Sequence, residues 1–200
     1  MPALRWGRQL VAAVRLLLVA TVVLGLGYPL AVTGIAQFVA PGRADGSLVE
    51  VDGEVVGSSL IGQAFTDADG APLPQYFQTR PSASGYDGAA SGGSNLGPNS
   101  AELADLVQQR RAAVAAFNGV DPADVPPDAV TASASGLDPD ISPAYAAIQV
   151  DRVAQARGLD AGTVRRLVAD ATAGRDLGFV GAPHVRVLEL NLALDRATGR

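Results

Sequence analysis

The sequence has no cysteine, one histidine, one methionine and one tryptophan in 200 residues. All 15 basic residues are arginine; lysine is absent. Without cysteine there is no disulfide, thiolate metal site or cysteine nucleophile. A single histidine cannot build a multi-histidine zinc or iron centre. Without lysine, the P-loop lysine, Schiff-base chemistry and a pyridoxal-phosphate lysine are excluded. A net charge of −5 argues against nucleic acid as a partner. Charged residues (18%) and aromatics (5%) are both scarce, yet 48% of the chain is hydrophobic. The apolar content is therefore made of small residues or concentrated in one place. Alanine alone accounts for 36 residues.

Much of it is concentrated near the N-terminus. Between Arg15 and Arg43 lie 27 uncharged residues, LLLVATVVLGLGYPLAVTGIAQFVAPG. About 20 apolar residues span a bilayer as a helix. A cleavable signal peptide has an apolar region of only about 7–15 residues, and Pro41 follows the Ala40 that resembles a cleavage site. Gly34-Ile35-Ala36 is the remaining conceivable point. The expectation is an uncleaved transmembrane helix over 11–38. Arg5, Arg8 and Arg15 precede the span, whereas Arg43 sits among Asp45, Glu50, Asp52 and Glu54. The positive-inside rule then predicts a cytoplasmic N-terminus at 1–10 and an extracytoplasmic domain over 39–200. That outer part carries 12 arginines against 20 acids, net −8, which would raise the local cation concentration. Gly25, Gly27 and Gly34 lie in the span. Small residues let membrane helices pack closely, so this face is a candidate contact with another membrane protein; such residues are also simply common in membrane helices.

The remainder reads as a small α+β domain with long glycine-rich loops. Asp52-Gly53 between two β-rich runs predicts a tight hairpin turn. Residues 66–99 have neither helical nor strand period and read as a long loop. Asn99 or Ser100 caps a helix through Leu103, Leu106, Val107, Val114 and Phe117, ended by Asn118-Gly119. Asp121–Pro127 reads as a rigid linker, and 128–141 as irregular. Ser142-Pro143 opens a second helix that stops near Gly158. Asp160 caps a third, ending at Gly174. Residues 184–194 alternate Leu188, Leu190, Leu192 and Leu194, which predicts a half-buried strand.

Four groups of residues carry side chains or backbone suited to chemistry or recognition. Ser133, Ser135, Ser142 and His184 could supply a Ser-His-Asp set, but no G-x-S-x-G is present. Asp128, Asp138 and Asp140 carry hard oxygen ligands, without the spacing of an EF-hand loop. Ser91, Gly92, Gly93, Ser94 and Asn95 form a run of backbone donors that suits a phosphate cradle or a flexible surface loop. Tyr76, Phe77, Gln78 and Arg80 combine the residue types of interface centres, or else cover the domain's own core.

Taken together, the single span, YFQTRPSA (76–83), SGGSNLGPNS (91–100), VPPDAVTASASGLDPDISPAYA (125–146), RVAQARGL (152–159) and LGFVGAPHVRVLELNLALD (177–195) resemble the C subunit of Kdp-type potassium-transporting P-type ATPases. The resemblance implies a complex with a channel-like potassium-translocating subunit, a P-type ATPase subunit and a very small membrane peptide, embedded in the lipid of the cell membrane. It implies a subunit without a hydrolytic site, which supports assembly and acts as a catalytic chaperone raising the ATPase subunit's affinity for ATP. No firmly bound cofactor is implied; ATP enters through the complex. The family's nucleotide element resembles the ABC-transporter signature and falls here on Ser91–Ser94, with Ser94 in place of glutamine. A loop outside the cell lies a bilayer of about 30 Å away from cytoplasmic ATP, so charge and resemblance together predict indirect coupling. The rival readings are an anchored extracytoplasmic enzyme using Asp, Glu or Tyr, and a stand-alone anchored binding module.

Overall fold

The computed structural model describes residues 2–199 and divides into two compact units that meet at Leu48–Val49. The first is helical: α1 (Pro2–Ala20), a π-helical stretch (Thr21–Gly27), α2 (Tyr28–Val39) and the single turn α3 (Pro41–Ala44). Ala20 and Gly27 both keep right-handed helical angles, so the chain runs through the π stretch unbroken. Trp6–Val39 is one apolar helix of 34 residues with no part buried in the chain. At 1.5 Å per residue it is about 51 Å long, more than the ~30 Å of a hydrocarbon core. It stops where Ala40 turns out of the helical region ahead of Pro41.

Pro29 explains the π stretch. Proline has no N–H, and its ring collides with the carbonyl four residues earlier, here Gly25. Widening the preceding turns to i→i−5 bonds relieves that collision, and Tyr28 N–H donates to Val23.

The second unit is α+β, as the sequence predicts. Strands β1 (Leu48–Val51) and β2 (Glu54–Ser58) form a hairpin. Asp52 and Gly53 both take left-handed φ (53° and 83°), which is what a two-residue type I′ turn requires. Residues 59–99 hold no regular strand or helix. Helix α4 (Ala101–Asn118) begins where Ser100 Oγ accepts the Leu103 N–H and ends at left-handed Gly119. After two short 3₁₀ turns (Pro122–Asp124 and Pro127–Ala129) come β3 (Asp140–Ile141), α5 (Pro143–Arg157) and α6 (Ala161–Asp170). Ser142 and Asp160 cap the two helices by accepting from Tyr145 and Thr163 N–H. Strands β4 (Thr172–Ala173) and β5 (His184–Arg186) complete an antiparallel sheet of order β3-β5-β4, and α7 (Val187–Thr198) follows. The core gathers Phe77, Ile141, Tyr145, Val150, Val153, Val164, Val185, Val187, Leu190 and Leu194.

Two expected boundaries are corrected. The third helix stops at Asp170 rather than Gly174, because Thr172 and Ala173 pair with Val185 and His184. The strand expected over 184–194 lasts only three residues and becomes α7. Its buried positions are Val187, Leu190, Asn191 and Leu194, with Leu188 beside them. Those spacings of three and four are helical. The leucine alternation concealed them because one member of the buried stripe, Asn191, is polar.

Candidate functional site

The segment 74–80 passes between α5 and α7 without a strand partner, so its buried peptide groups must find partners elsewhere. Two buried amide side chains supply them. Asn191 Oδ1 accepts the Phe77 N–H (2.9 Å) and Asn191 Nδ2 donates to the Phe77 carbonyl (3.0 Å). Gln149 does the same for the next residue: its Oε1 accepts the Gln78 N–H (2.7 Å) and its Nε2 donates to the Gln78 carbonyl (3.1 Å). A side-chain amide offers the same donor and acceptor as a peptide. The two helices therefore grip consecutive residues as neighbouring strands would.

Two arginines complete the grip. Arg152, buried on α5, donates to the Pro74 and Tyr76 carbonyls, to Asn118 Oδ1 (2.9 Å) and to Gln149 Oε1 (2.7 Å). Its guanidinium lies 4.3 Å from the centre of the Phe117 ring. Burial lowers its pKa to about 10, so it stays charged at neutral pH. Arg157 donates to the Gln75 carbonyl (2.6 Å) and Thr198 Oγ1 (3.0 Å), and pairs with Asp195 (2.8 Å). It also stacks on Tyr76, whose hydroxyl donates to the other oxygen of Asp195 (3.3 Å).

This arrangement places the residues expected at a partner surface. Phe77 is wholly buried in the core, which corrects the expectation that its side chain faces a partner. Tyr76 is half-buried between Phe65 and Arg157. Gln78 turns inward and donates to the Phe65 and Leu73 carbonyls. Arg80 is half-buried and pairs with Asp138 at 2.8 Å. Gly25, Gly27 and Gly34 lie on the apolar helix, exposed within their own unit.

The glycine-rich loop rests on the stretch 131–138. Ser91 Oγ and Gly92 N–H both donate to the Ser135 carbonyl (3.0 and 2.8 Å). Ser82 and Ser84 donate to the Gly136 carbonyl (2.6 and 3.2 Å). Gly136 has φ +69°, and a Cβ there would meet Ser84 Oγ and lie 2.6 Å from the Gly92 oxygen. A Cβ on Gly93 would lie 3.0 Å from the Ala134 oxygen. Ser94 and Asn95 are exposed, Asn95 with φ 55°. Arg80 reaches the same stretch through Asp138 and the Thr131 carbonyl. The structure thus gathers Arg80 and the 91–95 loop on one short segment. Nearby, the Tyr86 hydroxyl donates to the Arg80 carbonyl (2.6 Å), and burial raises its pKa.

The other ionisable candidates serve turns and strand ends. Asp128 accepts from both the N–H (2.7 Å) and the hydroxyl (2.9 Å) of Ser142. Asp138, besides binding Arg80, accepts the Asp140 N–H. Asp140 lies 3.5 Å from His184 Nε2 across the β3–β5 pair. Burial raises the Asp140 pKa, partly opposed by His184 and Arg186. Among the described residues no three His, Cys, Asp or Glu side chains gather as a metal site. An open, mainly apolar hollow of about 220 Å³ lies against α4, lined by Pro72, Gln78, Pro81, Phe117, Asn118 and Tyr145.

Sequence reasoning missed Gln149, Arg152, Arg157, Asn191 and Asp195. The signal available was phase: Gln149 and Arg152 recur with Tyr145 at helical spacing, as Asn191 does with Val187 and Leu194. A polar residue in phase with an apolar stripe marks a buried group that needs a partner.

An apolar N-terminal helix long enough to cross a membrane, followed by a compact α+β unit whose centre is an internal hydrogen-bond network, defines a candidate membrane-associated protein. Comparison with known proteins makes this specific. The family model of the K+-transporting ATPase c chain, KdpC, matches residues 10–196. A potassium-transporting ATPase KdpC subunit from Kineococcus radiotolerans is 58% identical over 192 residues, covering 95% of this chain and 94% of its own. Those from Nitratidesulfovibrio vulgaris (55% identical, 92% and 91% covered) and Mycobacterium tuberculosis (52% identical, 94% and 98% covered) match along nearly the same extent. The chain belongs to the KdpC family. It is a subunit of a K+-transporting ATPase and works with the other Kdp subunits.

Proposed function

We propose that this chain is the non-catalytic, membrane-anchored subunit of the complex. It supports assembly of the channel-like potassium-translocating subunit with the P-type ATPase subunit and raises the latter's affinity for ATP. The helix Trp6–Val39 crosses the cell membrane once. Arg5, Arg8 and Arg15 hold the N-terminus in the cytoplasm and the α+β unit lies outside. In the bilayer the helix meets lipid, the small membrane peptide and partner helices, the last along Gly25, Gly27 and Gly34. Outside, the exposed parts of Tyr76, Gln78 and Arg80 contribute to the partner surface.

The observation that carries this reading is where the polar side chains are used. Gln149, Arg152, Arg157, Asn191 and Asp195 hold the chain's own segment 74–80, and Asp128, Asp138 and Asp140 serve turns and strand ends. That use builds a rigid shape for docking, not a cleft with free acid and base. Coupling to ATP is indirect. A subunit that binds one conformation of the ATPase subunit better than another changes its ATP affinity without touching the nucleotide. The engagement of Gly92 N–H by Ser135 supports the same view of the 91–95 loop as structural.

The test is the ATP dependence of potassium-stimulated hydrolysis by complexes purified with and without this chain. The expected result is a KM for ATP raised about fivefold or more without it, at little change in kcat. An unchanged KM in an intact complex of the remaining subunits would overturn the proposal.

A further inference from the structure

Around Pro29 the backbone donors of the apolar helix fall two short of its acceptors. Tyr28 N–H donates to Val23, five residues back, rather than to Leu24, the partner it would have in an α-helix. The next donor would serve Gly25, but residue 29 is proline and has no N–H. α-Helical bonding resumes in α2 (Tyr28–Val39), whose N-cap is Gly27, so Leu30 N–H is the one backbone donor left for the Leu24, Gly25 and Leu26 carbonyls, and four-residue spacing gives it to Leu26. The carbonyls of Leu24 and Gly25 are left over. The nearby hydroxyls do not fill the gap. A helical threonine bonds back to carbonyls three or four residues before it, so Thr21 and Thr33 serve other turns. The Tyr28 hydroxyl stands at the far end of its ring, away from the backbone.

The position makes this costly. Leu24 and Gly25 lie four to five residues from the middle of the uncharged run 16–42, about 6–8 Å along the axis. A hydrocarbon core extends about 15 Å either side of its centre, so both carbonyls sit within it. No water is available there, so an unpaired peptide group is strongly unfavourable. Gly25 and Gly27 carry no side chain to cover the gap, and this stretch is exposed.

We propose that the Leu24 and Gly25 carbonyls accept hydrogen bonds from a donor side chain, such as Asn, Gln, Ser, Thr or Trp, on a transmembrane helix of a partner Kdp subunit. The π stretch is then the point that sets the register between the two helices. The partner is another subunit because the chain belongs to a multi-subunit transporter. The proposal rests on reading Trp6–Val39 as a membrane span.

Isotope-edited infrared spectroscopy tests it. Chains carrying a single ¹³C=¹⁸O carbonyl at Leu24, Gly25 or, as control, Leu18 are measured alone in lipid bilayers and in the assembled complex. The Leu24 and Gly25 bands are expected above the Leu18 band in the isolated chain and to fall on assembly, while the Leu18 band stays. Pro29→Ala restores the missing N–H and should lower the Gly25 band already in the isolated chain. Bands that do not move in a complex that still co-purifies overturn the donor and leave the proposed function intact. Bands already low in the isolated wild-type chain, from water or a second copy, overturn it too. Failure to co-purify with the Kdp subunits overturns the proposed function and the donor with it.

Discussion

Asn191 holds Phe77 by both of its peptide groups, the carboxamide oxygen taking the N–H at 2.9 Å and the nitrogen giving to the carbonyl at 3.0 Å. The residues are 114 positions apart, and both are buried. Asn191→Leu keeps the branched outline of the side chain and leaves the Phe77 N–H and carbonyl unpaired, at about 1–3 kcal/mol each. For a unit of this size, each kcal/mol lowers Tm by about 2–4 °C. The Tm of the full chain in detergent should fall by about 4–24 °C.

Arg152 and Gln149 act as one device, since the guanidinium donates to the amide oxygen that receives the Gln78 N–H. Arg152→Met and Gln149→Leu should each destabilise the α+β unit. Their double mutant should lose less than the sum, by about 0.5–3 kcal/mol. Strict additivity in denaturant unfolding would mean that the two grips are independent.

Gly136, on the stretch beneath the glycine loop, has no room for a side chain. Alanine there takes a left-handed φ and meets Ser84 and the Gly92 carbonyl. Gly136→Ala should cost about 2 kcal/mol or more, beginning with the 1–2 kcal/mol of the left-handed conformation. It should also speed proteolysis within 91–95. Gly97→Ala, with open space around its Cβ, should stay within about 0.5 kcal/mol of wild type.

Asp140 gives a pH signature. Burial raises its pKa in the folded chain, with His184 and Arg186 opposing and Asp138 and Glu189 assisting. A raised folded value means that the folded state favours the protonated carboxyl. Its stabilising contribution is present below the ordinary carboxylate range and is lost as pH rises through the raised value. The stability of Asp140→Asn relative to wild type should therefore increase from about pH 3 toward neutrality. A constant difference across that range would contradict the assignment.

What was legible in the sequence was local. Ser100, Ser142 and Asp160 cap their helices, Gly119 and Gly158 end them, and Asp52-Gly53 turns the hairpin, because each effect spans only a few residues. The apolar helix was legible from its length. Helix α7 was not, because the polar Asn191 interrupts its buried stripe. The grip on residues 74–80 was not either: its partners lie roughly 70 to 115 positions away in the chain, and nothing local announces them. The Pro29 irregularity was visible as a residue, but its consequence depends on which carbonyl Tyr28 selects.

In the proposed function the α+β unit works on the outer side of the membrane and influences ATP use only through its partners. The chain has no cysteine, so Asp87→Cys, at an exposed position, supplies a single thiol. Intact cells expressing this variant within the complex are treated with a membrane-impermeant thiol reagent that reaches the outer face of the cell membrane. Labelling before lysis is the expected result. Labelling only after lysis would put the unit on the cytoplasmic side and contradict the outer placement.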